Sequence, residues 1–294
     1  MLDLSDRNMA TSGAGSLSES DKLSEAAVLP PKIGYRYRHF KGGLYRVEGL
    51  CTVEATQEIG VLYRALDPCA RPDVWMRPIS SFFSLAGGTS RFVEVHEPSA
   101  DALVRYLPES LVPAASLDYI LSHYDSPGRF FHARWHVYDL FEKAANNGLD
   151  LAPEQAIALL FQDIVYSAGV PEGMNEKLSS LYVKNMASAL GKFRVDVACR
   201  IIEDTARNKP TIPESELVLD LTTASLADDT TEFCANDELI WLETRHLLDA
   251  GDPRRDFDTR RLKYLLALAE RGPLFCSQAL NHLEKRAREN LETF

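Results

Sequence analysis

The chain reads as an α+β multidomain protein, a small all-β barrel followed by an all-α domain, and three observations predict that class. Residues 33–95 break into short runs alternating apolar with polar side chains, the period of strands with one buried face. From about residue 114 onward, apolar residues recur at helical spacing, with connections short enough for a compact bundle. Between the two, Glu97-Pro98, Pro108 and Pro113 interrupt both periods. These shifts divide the chain into a tail over 1–32, the barrel over 33–95, a linker over 96–113 and the helical domain over 114–294.

The tail is rich in Ser, Asp, Glu, Ala and Gly and has no aromatic residue, so it cannot build a core and is expected to be disordered. Leu29-Pro30-Pro31 stiffens the chain at its end. Strands are expected over 35–38, 44–47, 60–64, 74–77 and 92–95, separated by Gly42-Gly43, Asp67-Pro68 and Gly87-Gly88, and five such strands suit a small barrel. Helices are expected over 115–123, 129–146, 153–167, 174–190, 193–207, 214–226, 231–249, 256–271 and 277–292. No glycine pattern of a P-loop or dinucleotide fold is present.

Charge narrows the partners. The net charge of −11 argues against a surface given over to nucleic acid, which needs a basic footprint. Only residues 31–95 are basic, with nine Lys and Arg against six Asp and Glu. In that segment Arg36, Arg38, His39, Lys41, Arg64 and Arg77 interleave with Tyr37, Tyr45, Tyr63 and Trp75, which suggests a nucleic-acid or protein contact. The competing reading is an ordinary barrel with aromatic core and basic exterior, because alternation places Tyr and Arg on opposite faces. No apolar run approaches the ~20 residues of a membrane helix and no secretion signal opens the chain, so a cytoplasmic protein with no membrane contact is expected. Cys51, Cys69, Cys199, Cys234 and Cys276 never fall in a CxxC spacing, which points to reduced thiols.

The candidate chemistry lies between Arg129 and Glu176. His132 and His136 are four residues apart in a segment of helical period, so both project from one helical face. Asp163 sits in the apolar run from Leu159 to Val165, where a carboxylate needs a cation, a metal or donors. An ion pair to Arg129 or Arg134 would answer it, and Arg129 could equally clamp a phosphate. Glu176 opens a helix, where an acid suits the dipole or could activate water.

Arg129, Phe131-His132, His136, Phe161, Asp163-Ile164-Val165-Tyr166 and Asn175-Glu176 resemble a bacterial family described as predicted metal-dependent phosphohydrolases of the HD superfamily. The resemblance covers roughly 110–294 and includes Leu219-Asp220 and Leu274-Phe275. It implies an HD-like helical fold and a divalent metal ion, with His136 and Asp163 matching two of the family's ligands; His132 and Asp220 are the further ligands this chain offers, with Arg129 for the phosphate and Glu176 as candidate base. The implied activity is hydrolysis of a small-molecule phosphate ester, with a nucleotide as candidate. Gln162 stands where the family's His-Asp pair has its histidine, Thr222 where it has a distant aspartate, and Phe130 where relatives carry a further histidine. The alternative is thus an inactive HD-like pseudoenzyme that binds a nucleotide or a protein. The segments Tyr37-Arg38-His39-Phe40-Lys41-Gly42, Tyr45-Arg46 and Trp75-Met76-Arg77-Pro78 resemble a short bacterial domain family of unknown function.

Overall fold

Alternation in the first third of the chain produces an antiparallel sheet with two differently used faces. The structure, a computed structural model, describes residues 29–67, 73–248, 251–270 and 272–292. The expected disorder over 1–28, the turn at Pro68 and Cys69 lie outside them. β1 (Arg36–His39), β2 (Leu44–Thr52), β3 (Ile59–Ala65), β4 (Trp75–Pro78) and β7 (Phe92–Glu94) form one five-stranded sheet in the order β4-β3-β2-β1-β7. The register pairs Tyr37 with Tyr45 and Val47 with Tyr63, and a bulge falls between Val47 and Gly49. The expected barrel is therefore an open sheet with β4 and β7 as its edges. Closure is pre-empted by the segment joining those edges, which forms helix α1 (Ile79–Phe82) and the hairpin β5 (Leu85–Ala86) and β6 (Thr89–Ser90). Phe82 of α1 stacks on Phe92 at 4.2 Å and completes a core with Tyr37, Val47, Val61 and Tyr63.

The opposite face packs on the helices. Leu44 and Val95 join Phe131, Ala235, Leu239 and Leu242 in one apolar cluster. Arg36 is buried on this side, with Nε 2.6 Å from Glu97 Oε1 and its guanidinium 4.5 Å from the Trp135 ring centroid. Tyr37, Tyr45 and Tyr63 thus lie on the face away from Arg36, as alternation requires.

The helical region comprises α2 (Asp101–Tyr106), α3 (Ala114–His123), α4 (Arg134–Asn146), α5 (Pro153–Phe161), α6 (Met174–Met186), α7 (Val195–Thr205), α8 (Ser215–Thr223), α9 (Thr230–Thr244), α10 (Pro253–Ala269) and α11 (Glu284–Glu292). Nine of these match the expected helices. α2 falls inside the expected linker, because Leu103 and Tyr106 find apolar cover and the segment packs on α4. α5 is the hub. Ala156 through Phe161 are wholly buried, and α5 meets α4, α6, α7 and α8. Burying each of its large side chains contributes about 1.5–3 kcal/mol, so this helix fixes where its C-terminal end, and Asp163 beyond it, must lie. Caps set other boundaries: Asp229 accepts the Thr231 and Glu232 N–H groups at the start of α9, and Asp252 accepts that of Arg255 before α10. Gly191 lets two backbones touch. A Cβ there would lie 2.1 Å from Ser110 O, while its N–H donates to Leu111 O at 2.7 Å.

Candidate functional site

His132 does not share a helix with His136. α4 begins at Arg134, and residues 129–133 form an irregular segment held by Glu243 of α9. One Glu243 oxygen accepts the N–H groups of Phe130, Phe131 and His132 at 2.8, 2.9 and 2.8 Å. The other meets His132 Nδ1 at 2.8 Å. Binding three successive N–H groups this way fixes the segment outside the helical ladder and orients one imidazole. Burial pushes the Glu243 carboxyl up, but the His132 ring and the N–H groups outweigh it and hold its pKa below the ordinary value. Burial likewise pulls His132 down, while Asp163 and Glu243 carry it above its ordinary value. Glu243 was not singled out in the sequence, although it closes the apolar run Leu239-Ile240-Trp241-Leu242 much as Asp163 interrupts its own.

The His132 ring stacks on Tyr166 at 3.9 Å and stands 6.1 Å from that of His136. His136 is buried on α4, and desolvation lowers its pKa to about 4 against the opposing pull of Asp163. Its Nδ1 is buried without a hydrogen-bond partner among the described residues.

Asp163 follows α5 rather than lying within it. The helix stops at Phe161 and the chain turns, with Ile164 N donating to Phe161 O at 3.0 Å, which leaves the carboxylate half-buried. Among the described residues the expected ion pair to Asp163 is not formed. Arg134 Nε donates to Asp125 at 3.0 Å, and Arg129 donates to the backbone oxygens of His132 (3.1 Å), Asp163 (2.6 Å) and Ile164 (2.8 Å). Arg129 thus ties the 129–133 segment to the 162–165 turn, and its fork is spent on carbonyls rather than on a phosphate. Among the described residues nothing hydrogen-bonds the Asp163 carboxylate, although its field reaches His132, His136 and Glu176. Glu176, in the first turn of α6, is raised by burial first and by Asp163 next.

Asp220 is directed elsewhere. Its carboxylate accepts Cys276 N at 2.6 Å, Ser277 N at 2.8 Å and the Ser277 hydroxyl at 2.5 Å, so it anchors the approach to α11 and is not free to ligate an ion. Thr222, two residues further along α8, donates its hydroxyl to Leu219 O at 2.8 Å. A divalent metal needs several unengaged imidazole or carboxylate groups converging on one point. His132 Nδ1 and Asp220 are already committed, and among the described residues no group of three or more His, Cys, Asp or Glu side chains could hold an ion. The residues present do not fit the expected metal.

What does lie beside His132 is a cavity of about 310 Å³, walled by Thr205, Asn208, Thr222, Ser225 and Arg261 among others. Asn208 Nδ2 donates to Thr223 Oγ1 at 3.1 Å, while its Oδ1 is buried with no partner among the described residues. Arg261 is bound to Asp237 at 2.6 Å. A larger cavity of about 530 Å³ lies at Tyr106, Asp150 and Lys192 and includes none of the predicted site residues. Of those six, the structure brings His132, His136, Asp163 and Glu176 within one another's electrostatic reach, assigns Arg129 to the backbone and sends Asp220 away.

The sheet carries the YRHFKG segment on β1 and the WxRP segment on β4, and it is this part of the chain that a family model matches. Residues 35–94 match the family described as protein of unknown function DUF1653. No HD-domain family model matches, so the HD-like reading of 110–294 rests on His136, Asp163 and their neighbours alone. No curated protein and no solved structure matches the chain. Among the described residues no helix is long and apolar enough to cross a membrane.

Proposed function

We propose that the helical region binds a phosphate ester, with a nucleotide as the candidate, in the cavity beside His132, and does so without metal-dependent turnover. The observation that carries this reading is the division of the expected ligand set. His132 and Asp220 are committed to protein partners, yet an open cavity lined by hydroxyls and an amide adjoins His132. Glu243 fixes Nδ1 of His132, which leaves Nε2 to meet a phosphate oxygen. Asn208 Oδ1 has no donor among the described residues, and a sugar hydroxyl would supply one.

Thermal unfolding with a panel of nucleoside monophosphates, with and without chelator, tests this. A nucleotide at a hundred times its Kd stabilises by about 2.7 kcal/mol, which raises the melting temperature by about 5–10 °C. The shift is expected to survive chelator and to vanish in His132→Asn. No shift with any nucleotide, or one that chelator abolishes, would overturn the reading.

A second reading, hydrolysis of the ester, is favoured by His136 Nδ1 and the Asp163 carboxylate, neither of which has a hydrogen-bond partner among the described residues, and by a Glu176 raised in the direction a general acid needs. It requires phosphatase turnover that Asp163→Asn and Glu176→Gln each remove.

A further inference from the structure

In the helical region most arginines meet a carboxylate: Arg134 with Asp125, Arg194 with Glu154, Arg254 with Glu238, Arg288 with Glu284. One end of the sheet breaks that pattern. Arg77 Nε donates to the Tyr63 hydroxyl at 3.3 Å and its Nη1 to Ser81 at 3.2 Å. Arg91 Nε donates to the Ser84 hydroxyl at 3.4 Å. Lys41 is exposed, and among the described residues no carboxylate forms an ion pair with any of the three.

These cations surround aromatic rings. Lys41 Nζ lies 5.7 Å and Arg91 Cζ 5.8 Å from the ring centroid of Phe40, a residue that is 36% exposed. His39 lies 4.4 Å from Phe40 and 6.1 Å from Tyr45. Burial pushes the His39 imidazole down, and Arg91, Arg77 and Lys41 push it further, which marks all three as acting on one place. Arg36, by contrast, is consumed at the helical interface on the other face. The grouping crosses three separate pieces of chain: the turn after β1, the end of β4 and the approach to β7.

Unpaired, half-buried guanidinium groups beside an exposed ring are matched by phosphates alternating with planar bases. We propose that this end of the sheet binds single-stranded nucleic acid, with Lys41, Arg77 and Arg91 taking backbone phosphates and Phe40 offering its ring to a base. The site is independent of the cavity beside His132. A net charge of −11 is no obstacle to it, because the basic excess is confined to this segment.

The test is fluorescence anisotropy of the 294-residue chain with a labelled oligothymidylate. Three phosphate contacts on a single strand predict a slope of about −2 in log K against log salt. Lys41→Gln with Arg91→Gln should weaken binding by about tenfold or more and flatten the slope by about 1.4. Lys41→Glu, at an exposed position that folding does not need, should weaken it alone. Arg46→Gln on the opposite face should leave it unchanged. Absence of binding at low salt, an effect of Arg46→Gln equal to that of Lys41→Glu, or competition by free thymidine monophosphate as strong as by the oligomer would each overturn the proposal.

Discussion

Replacing Glu243 should both destabilise the chain and retune His132. One of its oxygens takes three backbone N–H groups and the other the His132 ring, all at 2.8–2.9 Å in a buried place. Glu243→Ala strands four donors at once, and removing one member of a buried charge-assisted set costs about 3–5 kcal/mol. For a chain of this size that is a fall of about 10 °C in melting temperature. Glu243→Gln keeps an acceptor for the N–H groups but loses the charge, and should cost about 1–2 kcal/mol. The pH dependence separates the two effects. The folded pKa of His132 is raised, so its contribution is fully present below the unfolded value and lost as pH rises through the folded one. The gap between wild type and Glu243→Gln should therefore be wider at about pH 6 than at about pH 8. Urea unfolding at both pH values, with an NMR titration of the His132 ring, measures it. A His132 pKa unchanged in Glu243→Gln, or Glu243→Ala within about 1 kcal/mol of wild type, would refute the reasoning.

Other outcomes follow from the same geometry. His136 is buried with its pKa lowered from 6.5 to about 4, so its stabilising contribution is present above 6.5 and lost as pH falls. Between about pH 7.5 and 5 it should account for about 2 kcal/mol of lost stability, and His136→Leu should unfold with a shallower acid dependence by that amount. Asp220→Ala leaves the Cys276 and Ser277 N–H groups without their acceptor and should cost about 2–4 kcal/mol in urea unfolding while leaving nucleotide binding intact at low temperature. Gly191→Ala drives a methyl into Ser110 O and should cost about 1–3 kcal/mol, seen as a lower denaturation midpoint with unchanged slope.

Periodicity made the helical region legible. All nine expected helices appear because each buries an apolar stripe, and the hub α5 lies in the most apolar window of the segment. What periodicity could not supply was tertiary override of local spacing. His132 and His136 have helical spacing, but the carboxylate that pulls His132 out of the helix lies 111 residues further along the chain. Asp163 looked sealed among Leu159, Leu160 and Val165, yet α5 ends two residues before it and the turn opens its carboxylate. α2 was hidden between prolines, since a six-residue helix shows too little period without its partner α4. The sheet's strands were read closely, whereas its open edges depended on where α1 and the β5-β6 hairpin would fold. Asn208 carried no sequence signal, because its importance comes from the wall of a cavity.

The most direct test is the divalent metal content of the 294-residue chain purified without chelator, measured by inductively coupled plasma mass spectrometry and set beside its nucleotide-induced thermal shift. With His132 held by Glu243 and Asp220 by Ser277, no stoichiometric divalent ion is expected and the thermal shift should persist. A stoichiometric ion that is lost together with the shift in His136→Ala or Asp163→Ala would contradict this expectation.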